Sequence, residues 1–415
     1  MSMSDNNHFR PNKNTGSREK EKIDQEMQFH YKEYQRKTAF RKKAIKTAAL
    51  LAIPVVIILS LVLMNTSCQH SEKTTGETSA AAETASAIAS EGSEISMPDD
   101  FSTVSEASEE SSEESSESSM PAYQNPHQYK INEGRFSDET VYELTQNITS
   151  EFVALYDVST DEVLYTQSYD KKCYPASTTK LLTAITASSI ITDPKTVITV
   201  GDEIRLIGED SSIAYLEEGM QLTFEMLMDA LLLPSGNDAA YTMAVNCARI
   251  YKNDPTLSNE DAVGIFMELV NHAAKEIGAV HTHYVTPDGW HDDDHYTSAQ
   301  DLVIIGDYAR TIPIVKNSCA KAYVEWDLVK GGSIAWMNSN KLIQWDSGVY
   351  SEYCDGLKTG FTDQAGTSVV ASATMEGHTL IAVVMNGLNL YSKYEDCNRL
   401  FHAGFSLYDL NYTYG

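Results

Sequence analysis

Ser177 and Lys180 stand three residues apart at the head of an apolar-periodic run containing Leu181, Leu182, Ala184 and Ile185. Residues three apart on a helix share a face, so a helix starting here sets the Lys180 amine beside the Ser177 hydroxyl. A serine hydroxyl is a weak nucleophile until a base removes its proton. A lysine becomes such a base when burial disfavours its charged form, and the helix N-terminus favours negative charge developing on Ser177. The spacing alone carries little, because Ser17…Lys20 and Ser318…Lys321 repeat it. Only the copy at Ser177 opens an apolar-periodic helix on the side of the chain expected to lie outside the cell.

Two further short patterns bear polar groups. Ser235-Gly236-Asn237 falls in a turn between two helical runs, where a helix cap is the plain reading. Lys358-Thr359-Gly360 precedes the last strand-like runs. There a cationic lysine beside a hydroxyl could hold a carboxylate, and the small Gly360 would let substrate backbone approach; an ordinary surface turn is the alternative. A fourth cluster, His281, His283, Asp288, His291, Asp292, Asp293, Asp294 and His295, carries metal-ligand residue types. However, Pro287-Asp288-Gly289 marks a turn and Ser298…Asp301 resembles a helix cap, so the cluster is expected in a loop, with no metal and no cofactor.

The elements that must position these groups follow from periodicity. Strand-like runs at Phe152–Val158 and Glu162–Gln167, parted by Ser159-Thr160-Asp161, predict a hairpin. Thr178 to about Arg310 is mostly helical, with clear runs at Leu181–Ile191, Phe224–Leu233, Ala239–Tyr251 and Ala262–Ile277. Strands return at Thr367–Thr374 and Thr379–Met385, turned at Glu376-Gly377, and a helix over Lys393–Leu407 follows. Strands at both ends with helices between predict an α/β fold: one antiparallel sheet assembled from both chain ends, flanked by helices, with a mostly helical subdomain.

In this order the three patterns resemble the motif set of penicillin-binding proteins and serine β-lactamases. The surrounding residues, Tyr174-Pro175-Ala176 before Ser177, Leu233-Pro234 before Ser235, and Asp355-Gly356-Leu357 before Lys358, are similar to the low-molecular-mass D-alanyl-D-alanine carboxypeptidases. So are Ser211–Gly219 and His295–Ala299. The resemblance runs from about Phe152 to Leu407 and implies a β-lactamase/transpeptidase-like fold. It also implies that Ser177 attacks the bond between two terminal D-alanines of peptidoglycan stem peptides and is acylated, with β-lactam antibiotics as inhibitors. By the same resemblance Lys180 is the general base, Ser235 relays a proton to the leaving amine, and Asn237 positions Lys180 and the substrate amide. Lys358 and Thr359 bind the terminal carboxylate, Gly360 lies beside them, and the N–H groups of Ser177 and Phe361 form the oxyanion hole. Some members carry an arginine after the strand ending Met385-Asn386-Gly387; Leu388 stands there, so carboxylate recognition is expected to rest on Lys358. Many members also continue into a β-rich domain with a membrane-binding tail, whereas here the anchor is expected near the N-terminus. A serine β-lactamase and a non-catalytic wall-binding protein on the same fold are the alternatives.

The remaining chain sets the compartment. Thr47–Met64 is apolar and uncharged, about the minimum length for a membrane span. Arg36, Lys37, Arg41, Lys42, Lys43 and Lys46 precede it, which predicts a cytoplasmic N-terminus and an extracellular remainder. A cleaved signal peptide, or lipidation at Cys68, would leave the domain outside as well. The Ser/Glu-rich stretch that follows cannot bury enough apolar surface to fold. Expected boundaries are therefore a basic cytoplasmic tail over 1–46, a single-pass helix over 47–64, a disordered linker over 65–135 and a catalytic domain over 136–415. The net charge of −28 argues against a nucleic-acid partner. The six cysteines form no zinc pattern, and mostly buried thiols are expected.

Overall fold

The computed structural model describes residues 119–415; the basic tail, the apolar run 47–64, Ser17 and Cys68 lie outside them. The strands are β1 (Lys130–Ile131), β2 (Phe152–Asp157), β3 (Glu162–Gln167), β4 (Val197–Thr199), β5 (Gln221–Thr223), β6 (Tyr323–Asp327), β7 (Ser333–Met337), β8 (Cys354–Thr362), β9 (Gly366–Met375) and β10 (His378–Gly387). The helices are α1 (Asp138–Asn147), α2 (Lys180–Ile190), α3 (Phe224–Leu232), α4 (Asn237–Lys252), α5 (Asn259–Ile277), α6 (Ala299–Thr311), α7 (Pro313–Ala320) and α8 (Ser392–Ser406). Among the described residues none of these helices is long and apolar enough to cross a membrane.

The principal sheet runs β1-β3-β2-β10-β9-β8. Tyr156 of β2 lies opposite Ile381 of β10, so strands from the two ends of the domain pair directly. Five strands are antiparallel, and the two-residue β1 adds a parallel edge that periodicity did not show. Alternate residues serve opposite faces, as the two-residue strand period requires. Ala154, Tyr156, Ile381 and Val383 enter the core shared with α2 to α6. Val153, Leu155, Leu380, Ala382 and Val384 pack with Leu400 and Phe401 of α8. Burial of both faces explains why these strands read as near-continuous apolar runs. The turn between β9 and β10 places Glu376 at φ 49° and Gly377 at φ 87°, the two positive values a tight hairpin needs.

The packed unit begins earlier than the expected boundary at 136. Tyr123 is buried, its ring edge-on to His272 and Tyr308 and its hydroxyl 3.0 Å from Ser189 Oγ. Asn125 donates to the Ile277 carbonyl (2.8 Å), and Tyr129 donates to Asp307 (3.1 Å). Aromatic rings bury enough area to dock a segment whose neighbours upstream are too polar to do so. The β6–β7 hairpin was also absent from the periodicity reading; its alternation is short and half-buried. The five described cysteines are free thiols, four of them buried.

Candidate active site

The nucleophile turn is built from both sides of the fold. Ala176–Thr179 form a 3-10 turn leading directly into α2. In that tighter winding, residues three apart eclipse one another, which sets Lys180 over Ser177 more directly than a regular helix would. Lys180 Nζ lies 2.9 Å from Ser177 Oγ, 2.8 Å from Asn237 Oδ1 and 2.8 Å from the Asp288 carbonyl. Lys180 is fully buried, and that burial pulls its pKa from 10.5 down to about 8, against the opposing pull of Asp288 and Asp238. Roughly a tenth of such an amine is neutral at pH 7, a large reserve of base compared with a free lysine.

Two close approaches fix the turn. Ala176 holds φ 47°, a strained value for a residue with a side chain. A Cβ on Gly289 would stand 1.9 Å from the Ala176 carbonyl oxygen, so only glycine permits the Asp288-Gly289 loop to lie against the turn. A Cβ built on Gly360 falls 2.9 Å from Pro175 O and 3.3 Å from Ser177 N. The small residue therefore admits the nucleophile's own backbone, and it also lines the cleft.

The second motif opens α4. Ser235 sits at φ 64°; its buried Oγ has no hydrogen-bond partner among the described residues. Asn237 bridges the site: Oδ1 accepts from Lys180, Nδ2 donates to Ser211 Oγ (3.0 Å), and its N–H donates to Ser212 O (2.8 Å). Asp238 accepts from the N–H groups of Ala214 and Leu216 (2.8 and 2.9 Å), stitching the 211–216 loop to the motif.

The third motif lies on β8, a strand as the carboxylate-binding reading requires and not the alternative surface turn. Thr359 Oγ1 meets Ser339 Oγ at 2.8 Å. Lys358 departs from expectation. It is 1% exposed, donates to the Thr359 carbonyl (3.0 Å), and does not line the cleft. Burial, then the nearby Lys180 and Lys393, push its pKa well below the ordinary lysine value. Leu388 is 75% exposed. Two lysines line the cleft: Lys341, which donates to Gln344, and Lys393 at the start of α8, with a pKa lowered by burial to about 8. Sequence reading missed Lys393 because a lysine in the first turn of a terminal helix normally faces water.

These groups line a cleft of about 400 Å³. Its lining includes Ser177, Ser235, Asn237 and Thr359, with Gly360 and Phe361 from β8 and Asp288, Gly289 and Trp290 from the loop before α6. Phe361, Trp290, Leu390 and Tyr391 are exposed at its mouth. The rival spacing at Ser318 does not join its two residues: Lys321 turns to Asp229 (2.7 Å) and Glu225 (3.5 Å). In the histidine cluster, His295 is buried, with Nε2 2.8 Å from Thr179 Oγ1, while Nδ1 accepts from the Val285 and Thr286 N–H groups. Burial depresses its pKa to about 3, so it is a neutral brace behind the nucleophile turn. Ser298 caps α6 through the Asp301 N–H (3.1 Å).

Comparison with known proteins agrees with this geometry. The family model described as D-alanyl-D-alanine carboxypeptidase matches residues 139–389. D-alanyl-D-alanine carboxypeptidase DacA of Escherichia coli (strain K12) is 32% identical over 270 residues, 63% of this chain and 62% of the relative. D-alanyl-D-alanine carboxypeptidase of Streptomyces sp. (strain K15) is 30% identical over 264 residues, 60% of this chain and 84% of the relative. The crystal structure of the Streptomyces K15 DD-transpeptidase superposes with a TM-score of 0.56 at 25% identity, covering 62% of this chain and 98% of that one. The chain spans about 62% of the length of the E. coli relative. With a family model matched over more than half its length and the β-lactamase/transpeptidase-like fold in place, this chain belongs to the D-alanyl-D-alanine carboxypeptidase family.

Proposed function

We propose that this protein is a serine-type D-alanyl-D-alanine carboxypeptidase, which removes the terminal D-alanine of peptidoglycan stem peptides and is acylated by β-lactams. The observation that carries the reading is the 2.9 Å contact between Ser177 Oγ and the fully buried Lys180 amine. Neutral Lys180 takes the hydroxyl proton as Ser177 attacks the penultimate carbonyl. The Ser177 and Phe361 N–H groups receive the developing oxyanion. Ser235, whose hydroxyl has no protein partner among the described residues, passes a proton to the departing D-alanine amine and regains one from solvent. Thr359, Ser339 and Lys393 form the patch suited to the substrate carboxylate; a charge-assisted contact to Lys393 replaces the one expected from Lys358. Water then releases the acyl group.

The same reading places the catalytic domain outside the cell, tethered through the apolar run 47–64 and the Ser/Glu-rich stretch. Support comes from the basic cluster before residue 47 and the uncharged run itself. Purified protein incubated with a stem pentapeptide is expected to release free D-alanine, and prior treatment with penicillin should stop it. No release from any D-alanyl-D-alanine peptide would refute the activity. A protease added to intact cells should liberate a fragment of roughly 30 kDa; complete protection would reverse the orientation.

A further inference from the structure

We propose that Asp288 is the general base of deacylation, taking a proton from the water that hydrolyses the acyl group on Ser177. The proposal rests on the acyl-enzyme reading above. Asp288 is 1% exposed and lines the same cleft as Ser177. Its Oδ1 accepts the Trp290 N–H (3.0 Å), while Oδ2 has no hydrogen-bond partner among the described residues. Burying a carboxylate oxygen without a partner is costly, and a fold keeps such a group where a reacting molecule supplies the partner.

The residue is locked beside the nucleophile. Its carbonyl accepts from Lys180 (2.8 Å) and, at 3.4 Å, from Ser177. The Thr183 hydroxyl donates to the adjacent Pro287 carbonyl (2.7 Å), and Gly289 seats the loop on Ala176. The 3.4 Å contact of that carbonyl with Ser177 sets the residue's backbone beside the nucleophile, with the carboxyl carbon three covalent bonds from the carbonyl carbon.

Lys180 is less suited to activating this water. Its amine is committed to Asn237 and Asp288, and its third contact is to Ser177 Oγ, the atom that becomes the ester's leaving group. The roles therefore divide. A water proton moves to Asp288 Oδ2 as the hydroxyl oxygen bonds the ester carbon. The bond from that carbon to Ser177 Oγ breaks, and Oγ takes a proton from the Lys180 ammonium. The carboxylic product loses its proton to solvent. Asp288 then loses its proton to solvent, which leaves the carboxylate and the neutral Lys180 amine that the next acylation needs. No oxidant or cofactor is consumed.

The test is Asp288→Asn, which keeps the volume and the backbone carbonyl. Labelled penicillin is used to measure acylation and release separately. Acylation should stay within about 3-fold of the parent, and release of the acyl group should slow by roughly 100-fold or more, the usual worth of a positioned base. With the peptide, D-alanine release should become a single stoichiometric burst. Unchanged release, or equal losses in both steps, would overturn the proposal, the second outcome marking a residue that only shapes Lys180. If the parent is not acylated at all, the fault lies in the proposed function and not in Asp288. Should Asp288→Asn prove unfolded by circular dichroism, Asp288→Ala with added formate replaces it: restored release supports the base, and no restoration rejects it.

Discussion

The two lysines of the family motifs, one opening α2 and one on β8, are both buried and live in different surroundings. On α2, Lys180 is buried among three acceptors, Ser177 Oγ, Asn237 Oδ1 and the Asp288 carbonyl. On β8, Lys358 is buried too but donates to the Thr359 carbonyl, and burial lowers its pKa well below the ordinary lysine value. Burial alone thus does not assign a role. What separates the two is the direction of the amine: one touches the nucleophile, and the other is folded back on its own strand. The nucleophile turn is organised for proton transfer before substrate arrives. On the proposed reading the substrate carboxylate meets Lys393, a largely buried lysine of α8 that lines the cleft.

Substitution of the α2 lysine should have the largest effect. Lys180→Arg keeps the positive charge and removes the base, since guanidinium is protonated at every accessible pH. The acylation rate constant is expected to fall about 10³-fold or more. On the proposed mechanism Lys180 acts when neutral, and burial lowers its pKa to about 8. Acylation should therefore climb as pH rises toward 8 and level off above it. Stopped-flow acylation across pH measures both, and a rate independent of pH through that window would assign activation to another group.

The β8 lysine should respond differently. Lys358→Arg forces a permanent charge into a site that holds a lysine with a depressed pKa, and it is expected to cost about 2–4 kcal/mol of stability, several degrees in melting temperature. A smaller effect should follow in the cleft. Lys393→Ala is expected to raise KM for a D-alanyl-D-alanine peptide about 10-fold with a lesser change in kcat, as loss of one charge-assisted contact requires. Equal melting temperatures for parent and Lys358→Arg, with binding lost instead, would return the carboxylate to Lys358 and collapse the contrast.

Much of this was legible in the residues. The hairpin of β2 and β3, the runs of α2 to α5 and the β9–β10 turn at Glu376-Gly377 follow from local periodicity, which burial on defined faces enforces. Ser177 and Lys180 were legible because three-residue spacing and an apolar run act together. What stayed hidden depended on long-range packing. Lys393 carries no local mark that its side chain reaches a cleft formed with β8. Asp288 was noticed only as part of a possible metal cluster, because its burial depends on Gly289 meeting Ala176 across more than a hundred residues. Tyr123 and Tyr129 sat in what composition assigned to a linker, and only their partners on α5 and α6 show why they dock.

The central claim is that Ser177 is the nucleophile that this architecture activates. Labelled penicillin, followed by peptide mapping of the full-length protein, tests it most directly. One acyl group on Ser177, none on Ser17 or Ser318, and complete loss in Ser177→Ala are predicted. Labelling that persists in Ser177→Ala, or that maps to another serine, would contradict the account.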